Sequence, residues 1–123
     1  MLTIIIPVFN EENTILAILD KIEMQKYVEK QIIVIDDCSS DSSLKKIKDY
    51  KFKSKFKILS HENNRGKGAC IILAKKYIEG DIIIIQDADL EYNPNDYEVI
   101  LDKFNNYKNL AVYGSRVLNK KRY

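Results

Sequence analysis

Short, dense apolar runs alternate along this chain with polar stretches in which apolar residues recur at every third or fourth place. The runs are "LTIIIPV" from Leu2, "QIIVIDD" from Gln31, "KFKILS" from Lys55, "DIIIIQ" from Asp81 and "NLAVYGS" from Asn109. Most are β-branched and lack polar alternation, as strands buried on both faces do. Between the first two, Ile15, Ile18, Leu19 and Ile22 repeat at helical spacing, with Asn13 placed to cap them. "SSDSS" opens a second helix patterned by Leu44 and Ile47. A third carries Ala69, Ile72, Leu73 and Lys76 or Tyr77 and stops at Gly80; a fourth follows "NPND" with Tyr97, Ile100, Leu101 and Phe104 on one face. Strictly alternating strands and helices predict an α/β fold. Three layers are expected, α/β/α, around a mostly parallel sheet.

The 123 residues suit one domain spanning 1–123, large enough for a single core. Hydrophobic residues at 46% and charged residues at 31% are ordinary for a globular protein, and a net charge of +2 gives no reason to expect nucleic acid as a partner. The two cysteines, Cys38 and Cys70, form no C-x-x-C, and one histidine stands alone in sequence, so no zinc site is expected. Free thiols fit a reducing compartment, and the opening "MLTIIIPVFNEEN" is too short in its apolar run for a leader or a span. A cytoplasmic protein is expected. His61 reads as a surface residue, since nothing near it in sequence makes a catalytic pair.

Charge changes the picture at the strand ends. Ligands of open α/β sheets sit beyond the carboxyl ends of the strands. Here those ends read "PVFNEE", "IDDCSSD" and "QDADLE". In an extended stretch Asp87, Asp89 and Glu91 point to one side. Oxygen ligands so placed suit a hard cation shared with phosphate, which would neutralise charge on a departing diphosphate. A solvated turn that caps a helix explains the same acids. Asp36 and Asp37 likewise read either as ligands of a nucleotide base or ribose, or as the start of a turn, with Ser39, Ser40 or Asp41 capping the next helix. "NNRGKGA" allows close backbone approach at Gly66 and Gly68 ahead of a helix, yet it fits neither the P-loop nor the dinucleotide pattern.

Taken in order, "IIIPVFNEE", "IIVIDDCSSDSS", "NNRGKGAC", "GDIIIIQDADLEYNP" and "VYGSR" resemble the nucleotide-sugar-binding half of inverting family 2 glycosyltransferases of the GT-A fold. "QDADLEYNP" and "YGSR" resemble most the branch of dolichyl-phosphate mannose synthase, which transfers a hexose to a polyprenyl phosphate. The resemblance implies roles. Pro7, Phe9 and Glu11 would line the base pocket, with Phe9 in place of a frequent tyrosine. Asp37, with Asp36 beside it, would contact the base. Asp87, Ala88 and Asp89 would form the D-x-D element, with Asp87 at the nucleotide and the reaction centre and Asp89 on the metal. Glu91 stands where the branch often has glutamine and would join the metal. Arg116 would meet the acceptor phosphate or the donor diphosphate.

The implied cofactor is Mg²⁺ or Mn²⁺. The implied partners are a GDP- or UDP-hexose and a polyprenyl phosphate, which would bring the protein to the cytoplasmic face of a membrane. A phosphate acceptor is already an anion and needs no general base, so positioning and charge neutralisation would carry the catalysis. The acceptor side of the family pattern is expected to be incomplete, since the sequence stops at "RVLNKKRY". Lys120, Lys121 and Arg122 read as a solvated tail or as a phosphate or membrane patch. Two alternatives stand beside the transferase: a truncated, non-catalytic nucleotide-binding module, and a nucleotidyltransferase. The acidic "PVFNEENT" argues against the latter, which would want a glycine-rich basic loop there. Oligomeric state is not legible.

Overall fold

The computed structural model describes residues 1–25 and 29–89, and the backbone of 112 and 113. Five strands lie in one parallel sheet, in the order β3-β2-β1-β4-β5: β1 (Leu2–Val8), β2 (Lys30–Asp36), β3 (Lys55–Ser60), β4 (Ile82–Ile85) and β5 (Val112–Tyr113). Among the described residues three helices connect β1 through β4: α1 (Ile15–Glu23), α2 (Ser43–Asp49) and α3 (Lys67–Ala74), the last extended by a 3₁₀ turn at Lys75–Tyr77. The expected fourth helix and most of "NLAVYGS" lie outside the described residues.

Register explains the apolar runs. Ile4 pairs with Ile32 on one side and Ile84 on the other, while Ile5 pairs with Ile33 and Ile85. Successive side chains alternate faces, so both faces need apolar residues. One face carries Ile4, Ile6, Ile32, Val34 and Ile84 under Ile15, Ile18, Leu19 and Ile22 of α1 and Ile47 of α2. The other carries Ile5, Ile33, Ile35 and Ile85 under Cys70 and Ala74 of α3. α1 and α2 step the chain outward from β1 to β3. α3 brings it back across to β4, and right-handed crossovers then put it on the opposite face. The expected three-layer α/β/α fold is observed.

Local expectations are corrected in two helices. The buried stripe of α3 is Cys70 and Ala74 with Ile71 and Leu73 partly covered, and Ile72 is 68% exposed. Its buried face is turned from the Ala69–Ile72–Leu73 stripe toward Cys70 and Ala74, which lie on Ile5, Ile33, Ile35 and Ile85 of the sheet. At α1 the N-cap residue is Thr14, not Asn13, and its hydroxyl makes no cap bond. It points instead to the Ala88 carbonyl oxygen at 2.5 Å and to Glu11 Oε2 at 2.8 Å.

Candidate functional site

Chain reversal at β1 opens the site. Odd residues of β1 face β4, since the Gln86 amide donates to the Ile5 carbonyl; even residues face β2, since the Asp37 amide donates to that of Val8. Pairing between β1 and β4 stops at Ile5 and Ile85. Pro7 is therefore the next residue facing β4, and it has no N–H to offer. The two strands part there, at the point where strand order reverses. The resulting crevice, 170 Å³, is lined by Pro7, Phe9, Glu11, Asp37, Lys67, Cys70, Asp87, Ala88 and Asp89. Ligand sites usually hold about 300–1,000 Å³, so these walls form only part of one.

The loops around it are stitched together. Asn10, at φ 52°, tolerates the left-handed conformation, and its Oδ1 accepts the Ser40 amide at 2.8 Å. The amides of Asn10 and Glu11 donate to the hydroxyls of Ser39 and Ser43. Glu12 Oε1 accepts the Ser42 amide, and Asp41 Oδ2 accepts the Glu12 amide. Asp41 also accepts the Ser43 amide, but the N-cap of α2 is Ser42, not Ser39, Ser40 or Asp41, and it makes no side-chain cap bond; the hydroxyl of Ser39 serves the β1 loop instead. "FNEE" and "SSDSS" are thus two halves of one rigid wall.

Asp37 is not a free ligand. Its side chain is 5% exposed. Oδ1 accepts the Arg65 amide at 2.9 Å and faces His61 Nδ1 at 2.7 Å, while Oδ2 accepts the Gly66 amide at 2.8 Å. Burial alone would raise its pKa; those two amides and His61 outweigh it and hold the carboxyl below the ordinary range. Asp37 folds the 61–66 loop against the sheet and leads it into α3. The surface assignment of His61 is corrected here: its side chain is 11% exposed and paired with Asp37. Sequence distance hid the pair, because 24 residues and a whole strand separate them. Cys70 Sγ lies 4.0 Å from the same Nδ1. Asp37, His61 and Cys70 thus gather within 4.8 Å, although no metal spacing shows in the sequence. Both partners address one nitrogen, so the trio is no proton relay, and burial first, then Asp37 and Asp36, push the thiol up to about 11.

Asp36 is buried on the other face of β2. Oδ2 accepts the Ser39 amide, and Oδ1 has no protein partner. It is absent from the crevice lining, so β2 alternation separates it from Asp37. The structure brings Pro7, Phe9, Glu11, Asp37, Asp87, Ala88 and Asp89 together. Glu91 and Arg116 lie outside the described residues, as do Lys120, Lys121 and Arg122.

Among the charged residues of the crevice, Lys67 alone was given no role from the sequence. Lys67, the first residue of α3, holds Asp87 Oδ1 at 2.7 Å. Its signal was the lysine between the glycines of "RGKGA", directly ahead of a helix. The half-exposed ring of Phe9 offers a flat face, and Asp87 and Asp89 supply hard carboxylate oxygens of the kind that Mg²⁺ and Mn²⁺ take. The donor set fits such an ion.

Known proteins resemble this chain in sequence and in fold. The dolichol-phosphate mannosyltransferase of Pyrococcus furiosus is 26% identical over 93% of this chain and 32% of its own length. The UDP-N-acetylglucosamine--dolichyl-phosphate N-acetylglucosaminyltransferase of Methanococcus voltae is 30% identical over 100% of the chain and 55% of its own. The chain therefore spans about half, or less, of these relatives. Among solved structures, S. aureus TarS 1-349 in complex with UDP-GlcNAc superposes with a TM-score of 0.75 at 27% identity, over 86% of this chain and 31% of that one. The mannosyltransferase PcManGT of Pyrobaculum calidifontis, in complex with GDP-Man and Mn²⁺, gives 0.67 at 27%, over 72% and 27%. The fold is GT-A. The sequence model of glycosyl transferase family 2 matches residues 3–122, and the chain belongs to that family.

Proposed function

We propose that this chain is the donor-binding part of an inverting glycosyltransferase that moves a hexose from a GDP- or UDP-sugar to a polyprenyl phosphate with the help of Mg²⁺ or Mn²⁺. The observation that carries the reading is one crevice at the β1/β4 switch point, where Pro7, Phe9 and Glu11 of the first loop meet Asp87 and Asp89. Phe9 would lie against the base, with Pro7 and Glu11 beside it. Asp37 would act through the loop it holds, setting the position of Lys67. Asp89, with Glu91, would hold the metal, which supplies positive charge to a departing diphosphate. Lys67, balanced against Asp87, would turn to the donor phosphates as a second cation. Arg116 would serve the acceptor phosphate. A phosphate nucleophile needs no base, so alignment and charge neutralisation are the residues' task. The relatives' dolichyl-phosphate names and their GDP-Man and UDP-GlcNAc complexes support this donor and acceptor class.

Calorimetric titration of the 123-residue chain with GDP and UDP, with and without Mn²⁺, tests it. Metal-dependent binding of one nucleotide is expected. Binding of neither, by a chain that is folded by circular dichroism, overturns the donor-site reading.

A further inference from the structure

The densest charge in the molecule lies away from the crevice. Residues 45–57 read "KKIKDYKFKSKFK": seven of the chain's 20 basic residues and one of its 18 acids, a local +6 in a chain of net +2. They form the end of α2, the loop after it and the start of edge strand β3. The acids that reach this edge are already engaged. Asp49 pairs with Lys45, and Glu79 pairs with Lys55. Asp20 accepts the Tyr50 hydroxyl. Glu23, 9% exposed, takes the amides of Lys53 and Ser54 and the Ser54 hydroxyl, which fixes the lysine loop to α1. Among the described residues Lys48, Lys51 and Lys53 are exposed and have no ion pair, and Lys57 lies over the Tyr77 ring.

These cations surround apolar surface. A hollow of 710 Å³ between α1 and the lysine loop is lined by Leu16, Met24 and Tyr50, by Lys46, Lys51 and Lys53, and by the three engaged acids Asp20, Glu23 and Asp49. Met24 is 69% exposed, Leu16 39% and Phe56 47%. We propose that this edge docks on an anionic lipid surface, with the lysines at lipid phosphates and Met24, Leu16 and Phe56 in the interfacial layer. Charge complementarity favours lipid over the other polyanions. Every cation in the stretch is lysine, a point charge without the bidentate fork used on bases. Tyr50 packs edge-on against Phe52 at 4.8 Å and Phe52 stacks on Phe56 at 4.3 Å, which leaves no row of separate open ring faces for successive bases. Lysines along an edge strand also repel strand addition by another protein. Lysine stems cover apolar surface while their heads reach phosphate, which suits a membrane interface.

The purpose of this surface rests on the polyprenyl-phosphate reading, but its binding is measured separately. Sedimentation of the chain with phosphatidylcholine vesicles, with and without phosphatidylglycerol, is the test. Binding is expected only to the anionic vesicles and is expected to weaken with salt. Each lysine near such a surface is worth about fivefold in binding, so the triple variant Lys48→Ala, Lys51→Ala, Lys53→Ala should lose roughly 100-fold. Nucleotide titration of that variant should match the parent, which keeps failure here distinct from failure of the donor site. Equal binding to neutral vesicles, or a triple variant that sediments as the parent does, overturns the proposal. Lysine-dependent binding to a single-stranded oligonucleotide with none to vesicles overturns it in favour of nucleic acid.

Discussion

Replacing Asp37 with asparagine tests whether that carboxylate is a loop-organising anchor. The carboxylate serves three donors: the amides of Arg65 and Gly66 and the ring of His61. An asparagine has one oxygen. Whichever way its amide turns, an NH₂ group faces a backbone N–H in a site that is 5% exposed on the aspartate side. A stranded donor that had bonded a charged group costs about 1.5–3 kcal/mol, and the surviving bonds lose roughly half their strength without the charge. The sum is about 3 kcal/mol, a large share of the roughly 5–15 kcal/mol that holds a domain. At about 4–5 °C per kcal/mol for a chain of this size, Tm should fall by roughly 12–15 °C. Circular dichroism at neutral pH measures it, and native-state hydrogen exchange should show the amides of Arg65 and Gly66 losing protection first. The folded pKa of Asp37 is depressed, so its contribution is present above the unfolded carboxylate range and fades as pH falls through the folded value. The gap between parent and Asp37→Asn must therefore narrow in acid. A variant that melts within about 2 °C of the parent, with both amides still protected, would refute the anchor.

Other outcomes follow from the same geometry. Asp89→Ala should abolish metal-dependent nucleotide binding and leave the fold intact by circular dichroism; unchanged affinity in Mn²⁺ removes Asp89 from the metal. Lys67→Ala should weaken nucleoside diphosphates much more than nucleosides, roughly tenfold for one lost charge-assisted contact; an equal effect on both would place Lys67 off the phosphates. Arg116→Ala should harm transfer more than donor binding, and equal losses in kinetics and calorimetry would move it to the donor side. Gly80→Ala should cost roughly 1–3 kcal/mol in denaturant unfolding, because the added carbon would strike the Met1 carbonyl and come within 2.6 Å of Thr3 Oγ1. A stable Gly80→Ala protein would show that the α3–β4 connection can shift.

Local rules determined much of this protein. A strand buried on both faces needs apolar residues at every position, so the isoleucine runs of β1, β2 and β4 announced a parallel sheet before any contact was known. Acids at strand ends pointed to the mouth of the sheet, and five ordered motifs pointed to the family. Tertiary structure alone decided which groups meet. Asp37 and His61 stand apart in sequence and pair because parallel register aligns Asp36 with Ser60, bringing the ends of β2 and β3 side by side. Asp36 and Asp37 are neighbours in sequence and part company because strand residues alternate faces. The cap expected at Asn13 falls at Thr14, whose hydroxyl turns away from the helix to the Ala88 carbonyl across 74 residues. Composition hid the basic edge for the same reason: a net charge sums over the chain, while a surface depends on which acids are already held. Periodicity is a property of neighbours along the chain; a site depends on neighbours in space, and only register and crossover decide those.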